Sequence, residues 1–117
     1  MTDSNRLQWV YVVNAEDVAG CYGNTGCTTP IKYTAEQYYP GSSLVDWIAM
    51  DGYGMGNRLG QGVWYSPSEV FNGWQKMLDR IRTMAPTKPI GIFETGCTSN
   101  AGANIADKRL WISDAYR

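Results

Sequence analysis

Glu94 closes a short apolar run, Lys88-Pro89-Ile90-Gly91-Ile92-Phe93, and is followed by Thr95-Gly96. A carboxylate delivered to the C-terminal edge of a strand has two uses. It can be a reactive group, since parallel α/β folds place their chemistry at that edge, or a structural acceptor for nearby backbone N–H groups. Asn14 ends an earlier apolar run and Asp51-Gly52-Tyr53 ends another, so Asn14, Asp51, Tyr53 and Glu94 gather at one edge. There the Tyr53 hydroxyl would hydrogen-bond Glu94, keeping it ionised and aimed as a nucleophile requires. The sequence has no His, which excludes Ser-His-Asp and Cys-His catalysis and His-bearing zinc sites within the chain. Acid–base work falls to carboxylates, Tyr or Lys. No cofactor is implied, because Gly54, Gly56, Gly60 and Gly62 show neither the spacing of a phosphate-binding loop nor its Lys-Ser/Thr.

The elements that must position these residues follow from apolar periodicity. Leu7–Val13 reads as a strand stopping at Asn14, and residues 14–30, rich in Gly, Asn, Thr and Cys, as a long loop. Thr34 caps a short turn to Tyr39, and Leu44–Met50 is a second strand. Ser66-Pro67-Ser68-Glu69 has the form of a capping box opening a helix that Pro86 stops. Its stripe of Val70, Phe71, Trp74, Met77, Leu78, Ile81 and Met84 is core. Ile90–Phe93 reads as a strand buried on both faces, and Ile105–Tyr116 as a last helix with Leu110, Trp111 and Ala115 inward. Strand, loop, strand, helix, strand, helix describes right-handed βα units on a parallel sheet.

Composition narrows the partners. At 117 residues, 44% apolar and 18% charged, the chain makes one domain or part of one. A net charge of −1 with no Lys/Arg cluster gives no footprint for nucleic acid or anionic lipid, and no run has transmembrane length. Five Trp and eight Tyr are a heavy aromatic load. Flat rings with polar tips suit carbohydrate clefts as well as cores, so Tyr22, Trp64 and Tyr65, with Asn14, are candidate sugar contacts. Cys21 and Cys27 flank Tyr-Gly-Asn-Thr-Gly, which either closes a disulfide loop or leaves two free thiols beside Cys97. The disulfide alternative points to an extracellular or periplasmic origin, with any signal peptide outside this chain.

The run Tyr38-Tyr39-Pro40-Gly41-Ser42-Ser43-Leu44-Val45-Asp46-Trp47-Ile48-Ala49-Met50-Asp51-Gly52-Tyr53, with Glu94-Thr95-Gly96 after Lys88-Pro89-Ile90 and then Lys108-x-x-Trp111-Ile112-x-Asp114, resembles glycoside hydrolase family 26. That family is dominated by endo-β-mannanases on a (β/α)8 barrel of clan A. The resemblance covers the chain from about Leu7 onward and is specific as a set of motifs rather than in any single piece. It implies that Glu94 is the retaining nucleophile, that Tyr53 supports it, and that the polymer cleaved is β-mannan, with β-1,3-xylan or mixed-linkage β-glucan as alternatives. Ser42-Ser43 stands where the family often has acidic residues, which touches no catalytic role. A full barrel needs about 250 residues, so the resemblance aligns 1–117 with a partial (β/α)8 TIM barrel, about strands five to seven. The family's acid/base then lies upstream of Met1.

The alternative reading is a non-catalytic carbohydrate-binding or vestigial barrel fragment in which Trp64, Tyr65 and Tyr22 stack on sugar rings and Glu94 is polar lining. A flavodoxin-like domain is disfavoured because it would need a phosphate-binding first loop. The expected partner is polysaccharide, with no nucleic acid and no membrane, and open sheet edges are expected to promote self-association.

Overall fold

A computed structural model of the protein describes residues 7–17, 34–54, 65–73, 75–98 and 105–117. Along these the order is β1 (Val10–Asn14), α1 (Ala35–Tyr38), β2 (Trp47–Gly54), α2 (Pro67–Asn72), α3 (Met77–Met84), β3 (Ile90–Cys97) and α4 (Ile105–Ala115). The strands form a parallel sheet in sequence order, β1-β2-β3. This is a small α/β fold, as the alternation of strand and helix patterns predicts. Among the described residues no helix is long and apolar enough to cross a membrane.

The described helices pack on a single face of the sheet. Alternation along the strands sends Tyr11 and Val13 of β1 and Ile48 and Met50 of β2 to that face. Ile48 and Met50 are fully buried against Phe71 of α2 and Met77 and Ile81 of α3, with Val70, Leu78, Met84 and Ile90 packed around them. Burying one such side chain contributes about 1.5–3 kcal/mol, so this layer holds the fold together. The approach of α2 is tight. A Cβ added at Gly52 would lie 2.8 Å from both Phe71 and Val70, so only glycine admits the helix here.

The predicted long helix is two helices. Ser66 and Glu69 do form the capping box, with the Ser66 N–H donating to Glu69 Oε2 at 2.8 Å and the Glu69 N–H to Ser66 Oγ at 3.3 Å. The helix then ends at Gly73, a poor helix former, and restarts after Lys76, which takes a left-handed φ of 50°. Asn72 bridges the break, its Oδ1 accepting the Asp79 N–H at 3.1 Å in the first turn of α3. Val70 and Phe71 before the break and Met77, Leu78 and Ile81 after it nevertheless pack on one core.

Ion pairs and side-chain bonds to backbone join elements remote in sequence. Arg80 on α3 reaches Glu36 Oε1 and Oε2 at 2.7 and 2.6 Å and Asp17 Oδ2 at 2.7 Å. The other oxygen of Asp17 accepts the Ala35 N–H at 2.8 Å, and Tyr11 donates to the Ala35 carbonyl at 2.7 Å. At the opposite end of the sheet, Asp46 accepts the Trp9 N–H at 2.8 Å.

Two burial expectations are corrected. Ile92 and Phe93 are 45% and 54% exposed, because β3 is the outer strand among the described residues: Ile92 stands on the helix side at that edge, and Phe93 on the face opposite the described helices. On α4, Trp111 is buried as predicted, whereas Leu110 is 63% exposed, since consecutive residues lie about 100° apart around a helix and only one can face the sheet.

Candidate active site

The face of the sheet opposite the helices carries Val12 and Asn14 of β1, Ala49, Asp51 and Tyr53 of β2, and Gly91 of β3. Val12, Tyr53 and Phe93 are exposed on it. Asn14 pairs with Asp51, and Asp51 with Glu94, so the register sets a polar row across all three strands toward their C-terminal ends. The same residue types that mark strand ends in the sequence are thus brought side by side. Both β2 and β3 continue past the row, to Gly54 and Cys97.

Glu94 reaches this face through a β-bulge. Met50 pairs with Ile92 and Asp51 with Glu94, which leaves Phe93 without a partner in the ladder. In a regular strand Glu94 would share a face with Ile90 and Ile92, whose partners Ile48 and Met50 face the helices. It would then sit opposite Gly52, where Phe71 and Val70 leave no room for a Cβ, and a carboxylate would be buried in apolar surroundings. A single extra residue reverses the parity. Phe93 and Glu94 are therefore consecutive residues on one face, with the Phe93 ring lying over Gly91.

Two hydrogen bonds fix the carboxylate. The Tyr53 hydroxyl donates to Glu94 Oε2 at 2.5 Å, and the Glu94 backbone N–H donates to Asp51 Oδ1 at 2.9 Å. The hydrogen bond to Glu94 is the main reason the Tyr53 phenol is raised above its ordinary 10.0, with desolvation and the Glu94 and Asp51 charges adding to it. Asp51 is thus an acceptor for backbone, as its place before Gly-Tyr suggests. Glu94 itself is exposed on this face of the sheet.

No protein-family model matches the sequence, and no curated protein matches it.

Of the residues singled out in the sequence, Glu94 and Tyr53 are in direct contact and Asn14 lies in the same row on β1. Tyr65 is 44% exposed beyond the end of β2, and its carbonyl accepts the Trp111 indole N–H at 2.8 Å. Tyr22, Trp64, Cys21 and Cys27 lie outside the described residues. Cys97 is half-buried at the end of β3, and burial pushes its thiol up, against a smaller opposing effect of Lys108. Among the described residues no group of three or more Cys, Asp or Glu could hold a metal ion. The bulge at Phe93 was not read from the sequence, although a signal was there. Alternation from Ile90 through Ile92 puts Glu94 on the apolar face, and that conflict requires an irregularity between them.

Proposed function

We propose that this chain is part of a retaining endo-β-glycanase, with β-mannan as the substrate and Glu94 as the nucleophile. The observation that carries the reading is the Tyr53–Glu94 hydrogen bond on the face of the parallel sheet opposite the described helices, in the C-terminal halves of its strands. Parallel sheets are ordinarily covered on both faces. A (β/α)8 barrel, of which this chain would supply about strands five to seven, turns the face carrying Tyr53 and Glu94 into an interior and the strand ends into a cleft. The family resemblance of the Asp51-Gly52-Tyr53 and Glu94-Thr95-Gly96 motifs supports the same assignment. A polymeric substrate puts the work in an extracellular or periplasmic space.

In this mechanism Glu94 Oε1 bonds to the anomeric carbon as the glycosidic C–O bond breaks, and the departing oxygen takes a proton from a second carboxyl group. Water then releases the glycosyl enzyme, giving its proton back to that group. Retention requires the two carboxyls about 5–5.5 Å apart. Asp51 is committed to the Glu94 N–H, so the acid/base comes from outside the described residues. Tyr53 holds Oε2 without neutralising the carboxylate.

A substrate whose leaving group departs unprotonated isolates the role of Glu94, because it needs no general acid. The 117-residue chain is incubated with 2,4-dinitrophenyl 2-deoxy-2-fluoro-β-mannobioside and its peptides are mapped by mass. A glycosyl adduct on Glu94, absent from Glu94→Gln, is the expected result. No adduct, or one that persists in Glu94→Gln, overturns the assignment. Retention on insoluble mannan without an adduct would place the chain with the non-catalytic binding modules instead.

A further inference from the structure

Phe93 is the residue that neither the family motif nor the proposed chemistry uses, yet the position of Glu94 depends on it. Its ring does not lie loose. A Cβ built at Gly91 would fall 2.6 Å from Phe93 Cε1, 3.0 Å from Cδ1 and 3.6 Å from Ala49 Cβ. The ring therefore occupies the space that a side chain at residue 91 would take, on the face that carries Asp51, Tyr53 and Glu94. Ala49, the register partner of Gly91, is fully buried on that same face, so the Phe93 ring sits beside closely packed backbone.

We propose that Phe93 is a positioning residue for Glu94. Seated on Gly91, its ring holds the bulge at which one strand residue is left over, and the bulge turns the next residue toward Tyr53. The inference rests on the reading of Glu94 as a nucleophile only for its effect on rate, since its geometric part concerns the Tyr53–Glu94 contact itself. Asp51 anchors the same bulge from the neighbouring strand through the Glu94 N–H. The ring acts on the same face from within β3, through its seat on Gly91. Bulges are uncommon in parallel pairs and recur beside active sites, where they re-aim a side chain. A displacement of about 1 Å at a reacting group can lower a rate about a hundredfold.

The test follows the Tyr53 phenol and the reactivity of Glu94 separately, in the 117-residue chain. Tyr53 is titrated by NMR of 13C-labelled tyrosine, assigned with Tyr53→Phe, and Glu94 is followed by its rate of labelling with the activated fluoroglycoside. Phe93→Ala removes a ring that is 54% exposed, and Gly91→Ala displaces it, so both variants should keep the far-ultraviolet circular dichroism of the parent. In each, the phenol should titrate closer to an ordinary tyrosine and labelling should slow about tenfold or more. Phe93→Tyr keeps the ring and should restore both values. Deletion of Phe93 removes the extra residue and should abolish both the raised titration and the labelling. An unchanged Tyr53 titration in Phe93→Ala and Gly91→Ala overturns the proposal. If the titration responds while even the parent chain is never labelled, the positioning role stands and the glycanase reading falls.

Discussion

A phenol that donates to a carboxylate oxygen at 2.5 Å makes the behaviour of Glu94 depend on the protonation of Tyr53. With the proton in place the hydroxyl steadies Oε2. Once it is lost, a phenolate faces the carboxylate and the two repel. The phenol is raised above 10.0 by that hydrogen bond first, so the contact is present at neutral pH and disappears only as pH rises past the ordinary tyrosine range. Labelling of Glu94 by the activated fluoroglycoside should accordingly fall on an alkaline limb above about pH 10 in the parent chain. In Tyr53→Phe the rate should be lower by about tenfold, the effect of losing one positioned donor, and that limb should be missing. Glu94→Ala should abolish labelling altogether while the thermal unfolding midpoint hardly moves, because Glu94 is exposed and takes no part in the core. An alkaline limb that survives in Tyr53→Phe would assign it to another group.

Among the elements, α1, α3 and the end of β1 are joined through Arg80, and the partners of its guanidinium differ in exposure. The Asp17 side chain is 5% exposed and that of Glu36 43%. Removing the cation with Arg80→Met leaves Asp17 buried and uncompensated and should destabilise the fold by about 3–5 kcal/mol in urea unfolding. Glu36→Gln removes only the more solvated partner and should cost about 0.2–1 kcal/mol. Glu36 is held down to about 2 from 4.5, mainly by its hydrogen bonds from Arg80. A carboxyl depressed in the folded state adds stability that is complete above 4.5 and is lost as pH falls toward 2. The parent chain should therefore lose more stability than Glu36→Gln between those values. None of this clamp was legible in the sequence, since Asp17, Glu36 and Arg80 share no local pattern and only the tertiary fold brings them together. The strands, the Ser66 cap and the apolar stripe were legible, because each rests on periodicity or on contacts a few residues apart. The break at Gly73 was missed for a related reason. Val70, Phe71, Met77, Leu78 and Ile81 recur at helical spacing in the sequence on both sides of it, so the stripe looks continuous.

For the whole molecule, the described part of the sheet has helices on one face and no strand partner at either edge. Helices cover the face carrying Ile48 and Met50, while Val12, Tyr53 and Phe93 stand exposed on the other. The backbone groups on the outer sides of β1 and β3 have no strand partner among the described residues. In an intact barrel edges and face would close together, as each edge met another strand and the face opposite the described helices became interior. With no strand partner for either edge among the described residues, the chain should pair with a second copy. Edge pairing supplies backbone hydrogen bonds, and the apolar residues of that face supply the burial that strengthens them. Multi-angle light scattering should give a mass of at least twice 13.0 kDa, rising with concentration. Val12 is 40% exposed on β1, away from the Tyr53–Glu94 contact. Placing a charge there with Val12→Lys should shift the distribution toward monomer without slowing the labelling of Glu94, because a buried lysine opposes pairing while leaving the site's own hydrogen bonds alone. A monomer at all concentrations in the parent chain would show that the edges and that face are satisfied within one molecule, and the case for a partial barrel would lose its support at this scale.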